Sequence, residues 1–165
     1  GSTTARADPG RRLGDGESWG AGGKNISPDR NWNIAAPDAK AKKLAALEAC
    51  VVAGRKRHLP IIAGTELNGP GQKFVDSFDA PELKPYVNDF MDGAYWLYGH
   101  TVLERFAGKG ASSPWAESAF AGDRGAANAF YAAVGRAARP GNRPAAGALD
   151  GASSPEAVLA VVEKL

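Results

Sequence analysis

The sequence predicts a helix-rich α/β fold with few strands of its own and an irregular N-terminus. Three observations carry this. Ile61-Ile62-Ala63 is a continuous apolar run that follows a long helical pattern, which marks a strand covered on both faces, as in a parallel sheet. Helical periodicity recurs through most of the chain beyond it. Residues 1–30 show neither a period of 2 nor one of 3.6.

With 165 residues the chain is long enough for a domain with a real core. Hydrophobic residues make up 44% and charged residues 23%, as in globular proteins, and a net charge of +2 gives no electrostatic case for nucleic acid or a membrane surface. No apolar run approaches the ~20 residues that span a bilayer, and the N-terminus lacks the apolar core of a signal peptide. Cys50 is the only cysteine and falls in a helical pattern, where it reads as a small buried hydrophobe. A cytoplasmic setting is the expectation. Gly1-Ser2 resembles the scar of a cleaved tag, so a piece of a longer protein is expected.

Three regions are expected: an irregular segment over 1–30, an α/β domain over 31–138, and a linker with a short helix over 139–165. Gly20-Ala21-Gly22-Gly23 reads as a loop and lacks the spacing of a phosphate-binding loop. Asp29-Arg30-Asn31-Trp32-Asn33 is a polar and aromatic turn that either forms structure or lines a site. A helix is predicted from about Pro37 to Arg57, with Pro37 at N1, Asp38 at the positive end and Arg55-Lys56-Arg57 at the negative end. Leu44, Leu47, Val51 and Val52 form its apolar stripe, and the lysines at 40, 42 and 43 lie off it. His58 belongs to the turn that follows.

The strand is predicted over about 60–67, ending in Glu66 beside Asn68-Gly69-Pro70-Gly71. No second strand is legible, so the sheet is expected to be completed by an upstream part of the same protein or by another copy. Asp79 reads as the N-cap of a helix over 81–107, with Glu82 at N3 and Pro85 kinking or restarting it. Gly93 and Ala94 would admit a close neighbour, and Tyr95, Trp96 and Tyr98 read as core, with a substrate-stacking wall as the alternative. His100 reads as a hydrogen-bonded structural residue, with ligand or acid-base work as the alternative. Ser113-Pro114 and Asp123 start two further helices, the second over 124–138 with a stripe of Ala127, Phe130, Tyr131 and Val134. Residues 139–152 read as a mobile linker, and Ser153-Ser154-Pro155-Glu156 as a capping box for a last helix.

No His-x-His, His-Glu-x-x-His, cysteine pair or Gly-x-Ser-x-Gly elbow is present. Glu66, Asp76, His58 and His100 are left as acid-base candidates. Glu66 leads, because a carboxylate at the end of an apolar strand is partly desolvated and needs a metal, a cation or hydrogen-bond donors. A structural ion pair is the alternative for it.

Asp29-Arg30-Asn31-Trp32-Asn33, then Leu59-Pro60-Ile61-Ile62-Ala63-Gly64-Thr65-Glu66-Leu67-Asn68, then Gly71-Gln72-Lys73-Phe74-Val75-Asp76 resemble the later part of a metal-dependent hydrolase of the PHP (polymerase and histidinol phosphatase) type. The resemblance covers about 29–137. It implies part of a distorted β/α barrel that binds divalent metals (Mn, Zn or Mg) and hydrolyses phosphoesters. Gly64-Thr65-Glu66 matches the family's Gly-x-Glu, so Glu66 is the implied metal ligand, with Asn33, Asn68 and Gln72 as candidate substrate-orienting groups. The family's opening His-x-His and closing Asp-x-His are absent, so a C-terminal portion, inactive by itself, is what the resemblance implies. The other reading is a non-enzymatic, mainly helical interaction domain.

Overall fold

The computed structural model describes residues 22–28, 32–65, 70, 74–139, 141 and 147–165. It is helix-rich, with one parallel pair of short strands among those residues: β1 (Lys24–Ile26), α1 (Pro37–Lys56), β2 (Ile61–Ala63), a 3-10 turn (Lys84–Tyr86), α2 (Val87–Ala107), α3 (Pro114–Phe120), α4 (Arg124–Ala137) and α5 (Pro155–Val162). The chain divides into two compact units, Gly1–Met91 and Asp92–Leu165, so the division falls within α2.

The first unit is a β-α-β arrangement. β1 pairs parallel with β2 in the register Lys24–Ile61, Asn25–Ile62 and Ile26–Ala63. This corrects two expectations. Residues 1–30 are not irregular throughout, and β2 has a neighbour within the chain. Three residues between Gly22-Gly23 and Ser27-Pro28 are too few to display an alternation. The strand itself is shorter than the sequence suggests.

Helix α1 starts with Pro37 in its first turn and Asp38 near the positive end, and it closes with Arg55 and Lys56. Its buried residues are Leu47, Val51 and Gly54. Val52, expected on the same stripe, is 51% exposed, because the two-stranded sheet covers only a narrow side of the helix. Leu47 and Val51 meet Ile61, Leu83 and Phe90 in one core, with Ile26, Trp32, Ala63, Phe78 and Tyr86 packed around it. Asp79 does not cap a helix. Residues 81–83 form turns, the 3-10 turn holds Pro85, and the α-helix begins only at Val87. Glu82 instead accepts a hydrogen bond from Lys40 Nζ at 2.5 Å, and Arg55 grips both carboxylate oxygens of Asp89 at 2.7 Å.

In the second unit, Ser113, Asp123 and Ser154 each cap a helix by accepting a backbone N–H three residues on, at 3.2, 2.9 and 3.2 Å. Ser154, not Ser153, is the cap of α5, so Glu156 falls at N2 rather than at the capping-box position. The core gathers Val102, Leu103, Ala116, Phe130, Tyr131, Val134, Leu149, Val158 and Val162. Leu149 is 1% exposed, which overturns the reading of residues 139–152 as linker at that point. Helices α2 and α4 touch backbone to backbone. A Cβ on Gly99 would lie 2.0 Å from the Tyr131 carbonyl oxygen, and one on Gly135 would lie 1.9 Å from that of Tyr95. These contacts run from Tyr95, next to the expected Gly93 and Ala94, to Gly99, and Gly93 is itself buried. Among the described residues no helix is long and apolar enough to cross a membrane.

Candidate functional site

The candidate site is built from the turn that feeds β2. Gly54 is buried at the end of α1, where a Cβ would lie 2.9 Å from Ile61 Cδ1, so glycine lets the returning strand lie close to the helix. Leu59 N–H donates to Gly54 O at 2.9 Å, and His58 takes the left-handed conformation (φ 51°) between them. That conformation costs a non-glycine residue about 1 kcal/mol. It reverses the chain so that Leu59 and Pro60 are buried and Ile61 enters the sheet. His58 is therefore a turn residue, exposed and remote from the end of the strand that it starts.

Because β1 and β2 run parallel, their carboxyl ends lie side by side. Lys24 N–H donates to Pro60 O at 2.8 Å at one end, and Gly64 N–H donates to Ile26 O at 2.7 Å at the other. Carboxyl ends of parallel strands are where α/β proteins assemble ligand sites. Ile26, Ile61 and Ala63 pack on the α1 side, while Asn25 is exposed on the alternate face. The Asn25 side chain lies over the backbone of Gly64. A Cβ on Gly64 would stand 2.6 Å from Asn25 Oδ1 and 3.0 Å from its Nδ2. The glycine of Gly64-Thr65-Glu66 is thus explained by what covers it. Asn25 escapes sequence reading altogether, because its link to Gly64 exists only through the parallel register.

Of the residues proposed from the sequence, Glu66, Asn68 and Gln72 lie outside the described residues. Asn33 is described and exposed, next to Trp32, which packs against the first core, and Ile34 N–H donates to Trp32 O at 2.9 Å. Asp76 is the one buried carboxylate among the described residues, at 5% exposure. Its carbonyl accepts the Phe78 N–H at 3.0 Å, and Phe74 and Val75 before it stand 83% and 64% exposed. A carboxylate in that position is costly to bury, which makes Asp76 the strongest described acid-base candidate of the first unit. His100 belongs to the second unit, where its ring stacks on Trp96 and its Nδ1 accepts a backbone N–H, the structural role expected of it.

Among the described residues no three His, Cys, Asp or Glu side chains gather where they would hold a metal ion. A metal at this end of the sheet needs ligands beyond those the described residues bring together. Comparison with protein-family models, with curated proteins and with solved structures finds no match.

Proposed function

We propose that this chain is the C-terminal portion of a metal-dependent hydrolase of the PHP type, phosphoesterase-like and inactive alone, contributing part of a β/α barrel. One observation carries the reading. Gly64-Thr65 leaves the carboxyl end of a parallel strand and leads directly to Glu66, the position from which such a fold presents a ligand carboxylate. Glu66 is the proposed metal ligand, with Asn33, Asn68 and Gln72 as substrate-orienting groups. The metal, when bound, supplies an activated water and a polarised phosphoryl group. The chain's own described residues supply the scaffold. Gly54 and His58 set the approach of β2, and Asn25 covers Gly64.

Among the described residues no further strand pairs with the outer edge of β1 or β2, and an upstream part of the same protein or another copy would provide such strands. No nucleic-acid or membrane partner belongs to this reading, and the setting proposed is cytoplasmic.

The alternative is a non-enzymatic helical interaction domain. It is favoured by exposed Leu97 and Tyr98 on α2, at 42% and 38%. Titration of Mn²⁺ or Zn²⁺ into the wild type and Glu66→Gln, followed calorimetrically, separates the two. Metal binding by the wild type that weakens at least about tenfold in the variant supports the hydrolase. Absence of binding to either form refutes it for this chain.

A further inference from the structure

Two side chains one turn apart on α2 hold the backbone that leaves it. His100 Nδ1 accepts the Ala111 N–H at 2.9 Å, and Glu104 Oε2 accepts the neighbouring Gly110 N–H at 3.0 Å. The Tyr131 hydroxyl, from α4, donates to Lys109 O at 2.8 Å. Three successive residues are therefore each gripped by a titratable side chain. The fit is close, since a Cβ on Gly110 would stand 2.1 Å from Glu104 Oε2 and 2.9 Å from His100 Cε1. The loop so held positions α3. Ser113 N–H donates to Gly110 O at 2.9 Å, and Ser113 Oγ caps the helix.

Imidazole accepts a hydrogen bond at Nδ1 only while that nitrogen is unprotonated, so the ring here carries its hydrogen on Nε2. The ring is also fixed. Trp96 stacks on it at 5.6 Å with planes 18° apart, and Tyr131 meets it edge-on at 6.3 Å. It has no ready rotation by which to offer another acceptor. A proton on Nδ1 would set two donors against each other and leave the half-buried Ala111 N–H without its partner.

We propose that His100 and Glu104 form a proton-operated clasp on the loop between α2 and α3: unprotonated they hold it, and a proton on His100 releases Ala111 and loosens the start of α3. The charged groups around the ring set the balance. The Glu104 carboxylate favours an imidazolium, but it is engaged by Gly110 N–H. Lys109 lies in the clasped loop, its ammonium bonded to Leu149 O at 3.1 Å, and opposes a second cation. The Tyr131 hydroxyl stays neutral, since burial pushes its ionisation well above the ordinary range and Glu104 pushes it further. This device stands independently of any hydrolase activity.

Amide hydrogen exchange of the full chain by NMR, at about pH 7.5 and about pH 5.5 on either side of the ordinary histidine range, tests the clasp. After correction for intrinsic rates, wild-type Ala111 should lose protection by about tenfold in acid, the scale of one buried donor left unmade. His100→Asn keeps an acceptor oxygen that does not titrate, so its Ala111 protection should be flat. Glu104→Gln keeps the acceptor and removes the opposing charge, so its loss should be at least as large as in the wild type. Ring ¹⁵N shifts read the same event in the unsubstituted protein, with Nδ1 titrating in step with Ala111 exchange. Protection that is unchanged or rises as the wild-type ring titrates, or that falls equally in His100→Asn, overturns the proposal.

Discussion

Alanine at Gly99 sets two effects against each other. Helix propensity alone favours alanine over glycine by about 1 kcal/mol inside a helix. The crossing of α2 and α4 opposes it. The new Cβ would stand 2.0 Å from the Tyr131 carbonyl oxygen, where ordinary contact begins at 3.4 Å, so the helices must part by about 1.4 Å. The obstacle is backbone, which has no rotamer to escape into. Parting them strips contacts from Tyr131 and Val134, both fully buried at the crossing. Overpacking of this kind typically costs about 1–3 kcal/mol or more, so the net loss should reach about 2 kcal/mol despite the gain in propensity. Gly135→Ala should behave alike, since its Cβ would stand 1.9 Å from the Tyr95 carbonyl. One separation of the helices relieves both clashes, so the double variant should cost less than the sum. Gly151→Ala is the control, because nothing lies within 4 Å of its added Cβ. Urea unfolding followed by near-ultraviolet circular dichroism, with exchange of α4 amides to localise the loss, makes the measurement. If both helical variants match the wild type or exceed it, the two backbones do not touch there.

Leu149→Ala should cost about 2–4 kcal/mol, as for a buried leucine, and its unfolding midpoint in urea decides between core and linker, since a linker residue would change almost nothing. Lys40 holds the Glu82 carboxyl below the ordinary glutamate range through its hydrogen bond. The folded value thus lies below the unfolded one, and the pair's contribution is present above the ordinary range and lost as pH falls through the lowered value. Glu82→Gln should accordingly flatten the acid limb of stability between about pH 5 and about pH 3, and an unaltered limb would show the pair to be without effect. At the sheet, Gly64→Ala meets first the far end of the Asn25 side chain, so it should cost under about 1 kcal/mol, and less still when Asn25 is already alanine. Equal costs in both backgrounds, measured by a double-variant cycle of urea unfolding, would show that Asn25 does not cover Gly64.

What could be read from the sequence is what local chemistry decides. Ser113 and Asp123 cap their helices as expected, and Pro114 and Pro155 stand in first turns, because a cap needs only a side chain and an N–H three residues away. Asp79 has the same local credentials and fails. One distant fact and one local one defeat it: Glu82 turns to Lys40, more than forty residues earlier in the chain, and Pro85, already legible as a restart, postpones the α-helix to Val87. Val52 fails for a related reason, since a stripe records what a helix is able to bury and not how wide its partner is. Leu149 sits among glycine, alanine and proline, where no period frames it, yet it fills the second core.

The candidate site divides along the same line. Gly64-Thr65-Glu66 is visible because a strand end, a glycine and a carboxylate are contiguous. Asn25 is invisible because β1 is three residues long and its role arises only when the parallel register sets it against Gly64. That asymmetry bears on what the first unit needs. The helix side of the strand pair is satisfied by Leu47 and Val51 meeting Ile61. The other side carries Asn25, exposed, beside its register partner Ile62, half-buried, and parallel strands are ordinarily covered on both faces. Among the described residues the strand pair has no third neighbour, and two short strands are a weak end-state for an α/β unit. Asn25 and Gly64, which lie on that face, are also near the carboxyl ends where a ligand would bind. On the proposed reading, completing the sheet and completing the site are therefore one event, and added strands would supply both further cover and ligands beyond those of the described residues.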